Sequence, residues 1–133
     1  EKELFYLFSV INWNIGIIFA TKIRFYMKFK FKITNDTTIE DAEKELENLY
    51  SAPVVDLPFN HVVKIAEFLG SKLQDSPRGS MERFYHPLAP TPGKYFGVHV
   101  VHKGGNEVLI KRTNFKQYLY PVLIEIIRIK KKQ

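Results

Sequence analysis

Residues 22–33 read KIRFYMKFKFKI, and apolar and polar side chains alternate along the whole stretch. A side-chain period of two is typical of a β-strand, in which successive residues point to opposite faces. One face of this strand consists of Ile, Phe and Met, whereas the other carries five cations and a tyrosine: Lys22, Arg24, Tyr26, Lys28, Lys30 and Lys32. The stretch therefore predicts a sheet with one face toward a core and a basic face toward solvent.

Helical spacing of apolar residues predicts four helices, over residues 3–13, about 38–50, 60–73 and 117–130. Thr37 and Glu40 have the spacing of a capping box at the start of the second helix, and Asn60 is the predicted cap of the third. The first helix is apolar nearly all round, which is typical of a helix buried on most sides or covered by a partner chain.

Glycine and proline divide the remainder of the chain into a loop and a hairpin. Residues 74–94 contain several of both and predict a long loop. Residues 95–103 and 107–113 predict a β-hairpin that turns at residues 104–106. The element order predicts one α+β domain over residues 1–133, with a mixed, mainly antiparallel sheet that has a basic outer face and helices packed on its other face.

The composition narrows the class of protein. The chain has 133 residues, is 45% hydrophobic and carries a net charge of +6, which favours a folded domain with a polyanionic partner. It has no cysteine, which excludes disulfides, thiolate zinc sites, iron–sulfur clusters and cysteine nucleophiles, and favours an intracellular location. No apolar run reaches the roughly 18 residues of a membrane span. The first residue is Glu rather than Met, so the sequence leaves open whether a targeting segment has been removed.

The placement of the cations favours a noncatalytic protein that binds DNA or RNA through phosphate contacts on the basic sheet face. The candidate contact residues are Lys22, Arg24, Tyr26, Lys28, Lys30, Lys32, Arg78, Lys103, Lys111 and Arg112. No cofactor or metal is expected, because His99 and His102 fall on opposite faces of a predicted strand. His86 is expected to pack within the loop, with base stacking as the alternative, and Tyr95 and Phe96 are left open between core and surface.

The carboxylates concentrate on the helix predicted near residues 38–50, and solvated charge on the helix face is their expected role: Asp36, Glu40, Asp41, Glu43, Glu45 and Glu47. Glu107 and Lys111 share one face of a predicted strand. Together with Asp75 they indicate an alternative, a nuclease site.

Residues 6–18, YLFSVINWNIGII, resemble the signature helix of LAGLIDADG homing endonucleases and maturases, with Leu7 at the leading leucine of the motif. The basic strand and the helix after it follow the order of that family, whose sheet forms a saddle on the DNA major groove. The metal-binding acids of the family fall on Asn12 and Asn14 here, and asparagine lacks the charge that Mg²⁺ prefers. The resemblance therefore implies a catalytically degenerate member, with a metal-dependent homing-type nuclease as the alternative.

A second resemblance is to the C-terminal domain of archaeal and eukaryotic primase large subunits. Three segments carry it: LENLYSAPVVD at residues 46–56, HVVKIAEFLG at 61–70 and HPL at 86–88. The cysteines of the cluster in that family are absent here. The resemblance therefore implies a cluster-free relative that serves as an accessory, noncatalytic subunit of a DNA primase.

The first helix also predicts a protein partner. Apolar residues surround it, and a small sheet covers only about half of a helix surface. Phe8 and Trp13 are therefore the candidate interface residues of a homodimer or of a complex with a partner subunit. No membrane partner is expected.

Overall fold

Three helices and two antiparallel sheets make up the described part of the chain, residues 31–75 and 79–133 of a computed structural model. The helices are α1 (Ile39–Tyr50), α2 (Phe59–Phe68) and α3 (Tyr120–Lys132), and the strands are β1 (Asp56–Pro58), β2 (Lys72–Gln74), β3 (Met81–Tyr85), β4 (Tyr95–His99), β5 (Val101–Lys103) and β6 (Glu107–Lys111). A helical turn, Arg112–Asn114, and a π-helical segment, Phe115–Leu119, lead from β6 into α3. The predicted α+β class is confirmed. None of the described helices combines the length and the apolar character that crossing a membrane requires.

α1 begins one residue later than its predicted capping box. Thr38 is the N-cap: its hydroxyl accepts from the Asp41 N–H at 3.2 Å, and the Asp41 carboxylate accepts from the Thr38 N–H at 3.0 Å. Thr37, predicted to form the box with Glu40, accepts instead from the Thr34 N–H at 2.8 Å, within the turn that precedes the helix.

The hydrogen bond from the Thr38 backbone holds the pKa of the Asp41 carboxyl below its ordinary value of 3.8. A carboxyl whose pKa falls on folding stabilises the folded state above its unfolded pKa. The stability that this carboxylate contributes is therefore present above about pH 4. It is lost as the pH falls through the lower pKa of the folded state.

α2 begins without its predicted cap. Pro58 holds the N-cap position in extended backbone, Asn60 lies inside the first turn, and among the described residues no side chain caps this helix. The predicted apolar stripe is buried at Val62, Ile65, Ala66 and Leu69. Gly70, at a φ of +100°, ends the helical segment, so Leu73 lies beyond it in β2 and is 40% exposed.

The described strands form two three-stranded sheets rather than one. β6 lies between β1 and β5 in the first sheet, and β3 lies between β2 and β4 in the second. The long loop predicted over residues 74–94 is therefore wrong at its centre, where β3 pairs with both neighbours. The predicted hairpin is correct only for β5 and β6, because β4 pairs with β3 instead.

A single residue, Val100, separates β4 from β5 and carries the chain from the second sheet to the first. Its side chain is buried, and its N–H donates to the Ser80 carbonyl at 2.7 Å. The predicted strand over residues 95–103 is thus two short strands that pair with different neighbours.

Buried side chains from the helices and both sheets form one hydrophobic cluster. β3 and β4 contribute Phe84, Phe96 and Val98 to this core, and the rings of Phe84 and Phe96 stack with centroids 5.4 Å apart and planes 17° apart. The π-helical segment contacts β4 and adds Phe115 and Leu119, both fully buried. The core therefore covers one side of the second sheet.

The described end of the predicted basic strand is not a strand. Residues 31–34 lie outside the described strands, because the turn that leads into α1 follows directly. Phe31 packs against the core with its ring edge-on to His61, 6.3 Å between centroids. Residues 22–30 and the helix predicted over residues 3–13 lie outside the described residues.

We expect Thr38→Ala to lower the free energy of unfolding by about 1 kcal/mol, because it removes the acceptor of the N-cap hydrogen bond. Thr37→Ala is the matched control. It should lower the free energy of unfolding by less, because the Thr37 hydroxyl accepts a hydrogen bond only within an exposed turn. Denaturant titration of the two variants measures the difference. An equal cost for both substitutions would contradict the assignment of Thr38 as the cap.

Candidate nucleic-acid interface

The second sheet has an aromatic and cationic surface on the side away from the core. Side chains alternate along β3 and β4, so the burial of Phe84, Phe96 and Val98 turns their neighbours to the opposite side. We call this surface the aromatic–cationic face, and Lys72, Arg83, Tyr85, Tyr95 and His99 lie on it.

Two tyrosines lie side by side at one end of this face. Tyr85 and Tyr95 are directly opposite in the register of β3 and β4, and their ring centroids are 5.4 Å apart with planes inclined at 58°. The Arg83 guanidinium carbon lies 4.8 Å from the centroid of the Tyr95 ring, in the range of a cation–π contact. Tyr95 keeps 41% of its surface exposed. The arrangement offers aromatic surface and a planar cation to the same ligand.

The face carries positive charge without a carboxylate among its own positions. Lys72 lies opposite Tyr85 on β2, and His99 lies opposite Met81 on β4; both Lys72 and His99 are exposed. The register of the three strands places eight described residues on this side: Lys72, Gln74, Met81, Arg83, Tyr85, Tyr95, Gly97 and His99. None of these eight is acidic, so a polyanion meets no like charge from the strands themselves.

Gly97 leaves the centre of the face without a side chain from β4, and a Cβ atom there would lie 3.3 Å from Cε of Met81 on β3. Gly97 lies opposite Arg83, and a Cβ atom there would overlap the Glu82 carbonyl oxygen and lie 3.2 Å from the Arg83 Cα. The backbones of β3 and β4 therefore approach too closely for a side chain at this position. As a result, no side chain on β4 covers the strand between the tyrosine pair and His99.

The segment between β3 and β4 begins with a buried, hydrogen-bonded histidine next to the tyrosine pair. His86 is 2% exposed; its Nδ1 accepts from the Leu88 N–H at 3.0 Å, so Nε2 carries the proton and donates to the Leu69 carbonyl at 2.8 Å. The His86 N–H donates to the Lys94 carbonyl at 3.1 Å, directly beyond the Tyr85–Tyr95 pair. His86 is therefore a packing residue, as predicted. Because it is buried, its ring is not accessible for stacking on a base.

Most of the contact and interface residues predicted from the sequence lie outside the described residues: Phe8, Trp13, Lys22, Arg24, Tyr26, Lys28, Lys30 and Arg78. Lys32 is described and exposed. It borders an open cavity of about 710 Å³ together with His61 and Lys64.

Lys103 and Lys111 lie on the first sheet, not on the aromatic–cationic face. Lys103 is opposite Glu107 and its ammonium is 3.8 Å from the Asp56 carboxylate, while Lys111 is also opposite Asp56. The acids among these four residues offset the cations. This surface is therefore of mixed charge, which is less favourable for a polyanion.

Arg112 connects backbone segments. Its guanidinium donates to the carbonyls of Val54 at 2.9 Å and Tyr50 at 3.2 Å, and its N–H donates to the Val55 carbonyl at 2.7 Å. The side chain thus holds the loop after α1 against the start of the C-terminal helical segment, and its predicted role as a contact residue gains no support from this position.

Sequence reasoning missed most of the aromatic–cationic face because it placed β3 in a loop. The stretch MERFY, residues 81–85, has the alternation of a strand, but prolines and glycines on both sides outweighed so short a pattern. Of the two aromatic residues left open on β4, Tyr95 is exposed and Phe96 is buried. The period-two pattern of residues 95–99 was the signal that could have assigned them.

Glu45 differs from the solvated role predicted for the acids of α1. Its side chain is 3% exposed, its Oε2 lies 2.6 Å from His61 Nε2, and its Oε1 accepts from the Asn48 amide at 3.3 Å. Burial is tolerated because the carboxylate has hydrogen-bond partners. This pair joins α1 to α2 within the fold.

The two histidines spaced HxxH do not come together, since His99 belongs to β4 in the second sheet and His102 to β5 in the first. Within residues 31–75 and 79–133, no group of three or more His, Asp or Glu side chains is placed to hold a metal ion.

Comparison with known proteins found no matching family model, no matching curated protein and no matching solved structure. The signature helix of the LAGLIDADG resemblance, residues 6–18, lies outside the described residues. The segments of the primase resemblance, residues 46–56, 61–70 and 86–88, are all described. Both resemblances stay predictions.

We expect Gly97→Ala to lower the free energy of unfolding by about 1–3 kcal/mol, because the added methyl group forces β3 and β4 apart. Gly104→Ala is the matched control: an added Cβ there meets nothing within 4 Å, and the change should be within about 0.5 kcal/mol of zero. Thermal or denaturant unfolding measures both. A neutral Gly97→Ala would contradict the close approach of the two strands.

Proposed function

We propose that this chain is a noncatalytic module that binds single-stranded nucleic acid on the aromatic–cationic face. The observation that carries the proposal is the Tyr85–Tyr95 pair, with ring centroids 5.4 Å apart and the Arg83 guanidinium 4.8 Å from the Tyr95 ring. Exposed aromatic rings next to cations are what single-strand binding sheets use, because bases stack on the rings while the cations contact phosphates.

The charge of the chain supports the same ligand. A net charge of +6 attracts a polyanion over the range of the Debye length, and the strand positions of the face bring no acid close to it. This attraction does not depend on base sequence, so the proposal predicts binding that weakens as salt is added.

The dimensions of the face favour an unpaired strand. Tyr95 and His99 are four strand positions apart, about 14 Å at the usual rise of a β-strand. A surface of this length accommodates roughly two or three stacked bases. The bases of a duplex are already stacked on one another and hidden from such rings, so duplex of the same sequence should bind more weakly.

The tyrosine pair can be tested against a second tyrosine in a similar contact elsewhere on the molecule. Tyr50 is 40% exposed, and the Lys116 ammonium lies 4.5 Å from its ring centroid. Tyr50 is the last residue of α1, and its ring packs against Tyr120, whose pKa is raised by burial and then by the charge of Glu47. Tyr50 thus combines aromatic surface and a cation with a nearby negative charge.

We expect Tyr85→Ala and Tyr95→Ala each to weaken binding to a labelled single-stranded oligonucleotide about tenfold or more, because stacking of one base contributes about 1–3 kcal/mol. Tyr95→Phe should keep most of the affinity, since it keeps the ring, and Tyr50→Ala should leave the affinity unchanged. Fluorescence anisotropy at fixed salt measures all four variants. Wild-type affinity in folded Tyr85→Ala and Tyr95→Ala variants would exclude this face.

The second resemblance suggests a primase accessory subunit as the assembly in which this module works. The three segments of that resemblance are connected in the fold. Residues 46–56 run through β1 directly into α2, and the His86 ring donates to the carbonyl of Leu69, at the end of the segment 61–70. A primase acts on a single-stranded template, so the proposed ligand fits that assembly.

We expect the full chain to co-purify with the catalytic primase subunit of its own source when the two are expressed together. Tyr95→Ala should still form that complex, because the tyrosine is proposed to contact nucleic acid rather than protein. Size-exclusion chromatography measures complex formation. Two separate peaks at micromolar concentrations, with both proteins folded, would count against the primase assembly and leave single-strand binding unaffected.

A further inference from the structure

The turn before Tyr95 carries a cation on strained backbone. Thr91-Pro92-Gly93-Lys94 closes with a hydrogen bond from the Lys94 N–H to the Thr91 carbonyl at 3.0 Å, and Gly93 has the positive φ, 66°, that the third position of a type II turn requires. Lys94 follows with a φ of 68°. It is the one non-glycine residue in the described part of the chain with a positive φ. This conformation is unfavourable for an L-residue because its Cβ approaches the following carbonyl oxygen.

The same turn lies against the tyrosine end of the aromatic–cationic face. A Cβ atom on Gly93 would lie 3.2 Å from Cδ2 of Tyr95, so the Tyr95 ring packs over this glycine. The Lys94 carbonyl accepts from the His86 N–H at 3.1 Å, directly beyond the Tyr85–Tyr95 pair. Lys94 is exposed, and its backbone lies next to both tyrosine residues in the register of β3 and β4.

Glycine or asparagine would occupy this backbone position with less strain. The turn uses only the backbone N–H and carbonyl of Lys94, which any residue but proline supplies. What lysine adds is an ammonium group on a flexible four-carbon stem. Backbone strain retained next to a ligand-binding surface points to a functional role for the strained residue.

We propose that Lys94 is a phosphate-binding residue of the aromatic–cationic face, contacting the backbone of the nucleotides whose bases stack on Tyr85 and Tyr95. This inference rests on the proposed function. It adds a cation next to Tyr95 on the β4 side of the tyrosine pair, whereas Lys72 lies on the β2 side, directly opposite Tyr85.

Two substitutions at this position separate charge from strain. Lys94→Gln removes the charge and keeps the strained backbone, whereas Lys94→Gly removes both. Log affinity for a single-stranded oligonucleotide falls with log salt, and we expect each variant to make this dependence less steep by about 0.7. This is the contribution of one phosphate contact. Lys94→Gly should also raise the melting temperature by a few degrees, and Lys94→Gln should leave it unchanged. Lys116→Gln is the control for loss of a distant cation and should keep the wild-type slope.

The outcomes distinguish this inference from the function on which it rests. Wild-type affinity and slope in both Lys94 variants, with binding lost in Tyr95→Ala, would overturn the role of Lys94 and leave the binding face intact. Loss of affinity in Lys94→Gly alone would also overturn it, because the effect would then come from the backbone and not from the charge. Wild-type binding in the tyrosine variants would overturn the proposed function itself.

Discussion

The stacking of Phe84 on Phe96 inside the core is the contact on which the rest of the second sheet depends. The two residues are opposite each other in β3 and β4, both are buried, and the strand period then sends Arg83, Tyr85 and Tyr95 to the other side. A register shift of one residue would place the charged and hydroxyl-bearing side chains in the core and expose the phenylalanines. Burial of two apolar rings thus keeps the surface tyrosines paired.

The comparison of Tyr95 with Tyr50 shows why a local contact does not define a binding surface. Each ring has a cation within 5 Å of its centroid. The ring on β4 stands among strand positions without acids, whereas the ring at the end of α1 packs against Tyr120, whose pKa is raised by burial and then by the charge of Glu47. The surrounding charge separates two otherwise similar groups, since the interaction of a polyanion with a surface sums over many charges.

The sequence predicted those elements whose signals are local and long. α1, most of α2, the β5–β6 pairing and the buried stripe of α3 follow from helical spacing and a glycine turn. β3 was missed because five residues give too short a pattern to prevail over flanking prolines, and its partners are set by pairing with β2 and β4. The burial of Glu45 was missed because its partner His61 is 16 residues away and carries no local signal. Most of the candidate site lies on β3 and its partners, so local sequence patterns could not predict it.

The passage of the chain through Val100 has a mechanical consequence. This one residue joins β4 to β5, its side chain is buried, and its amide is tied to Ser80 at the approach to β3. Such a connection has no slack. Because one residue spans the connection, β4 cannot shift far along its axis without displacing β5, which pairs with β6 in the first sheet.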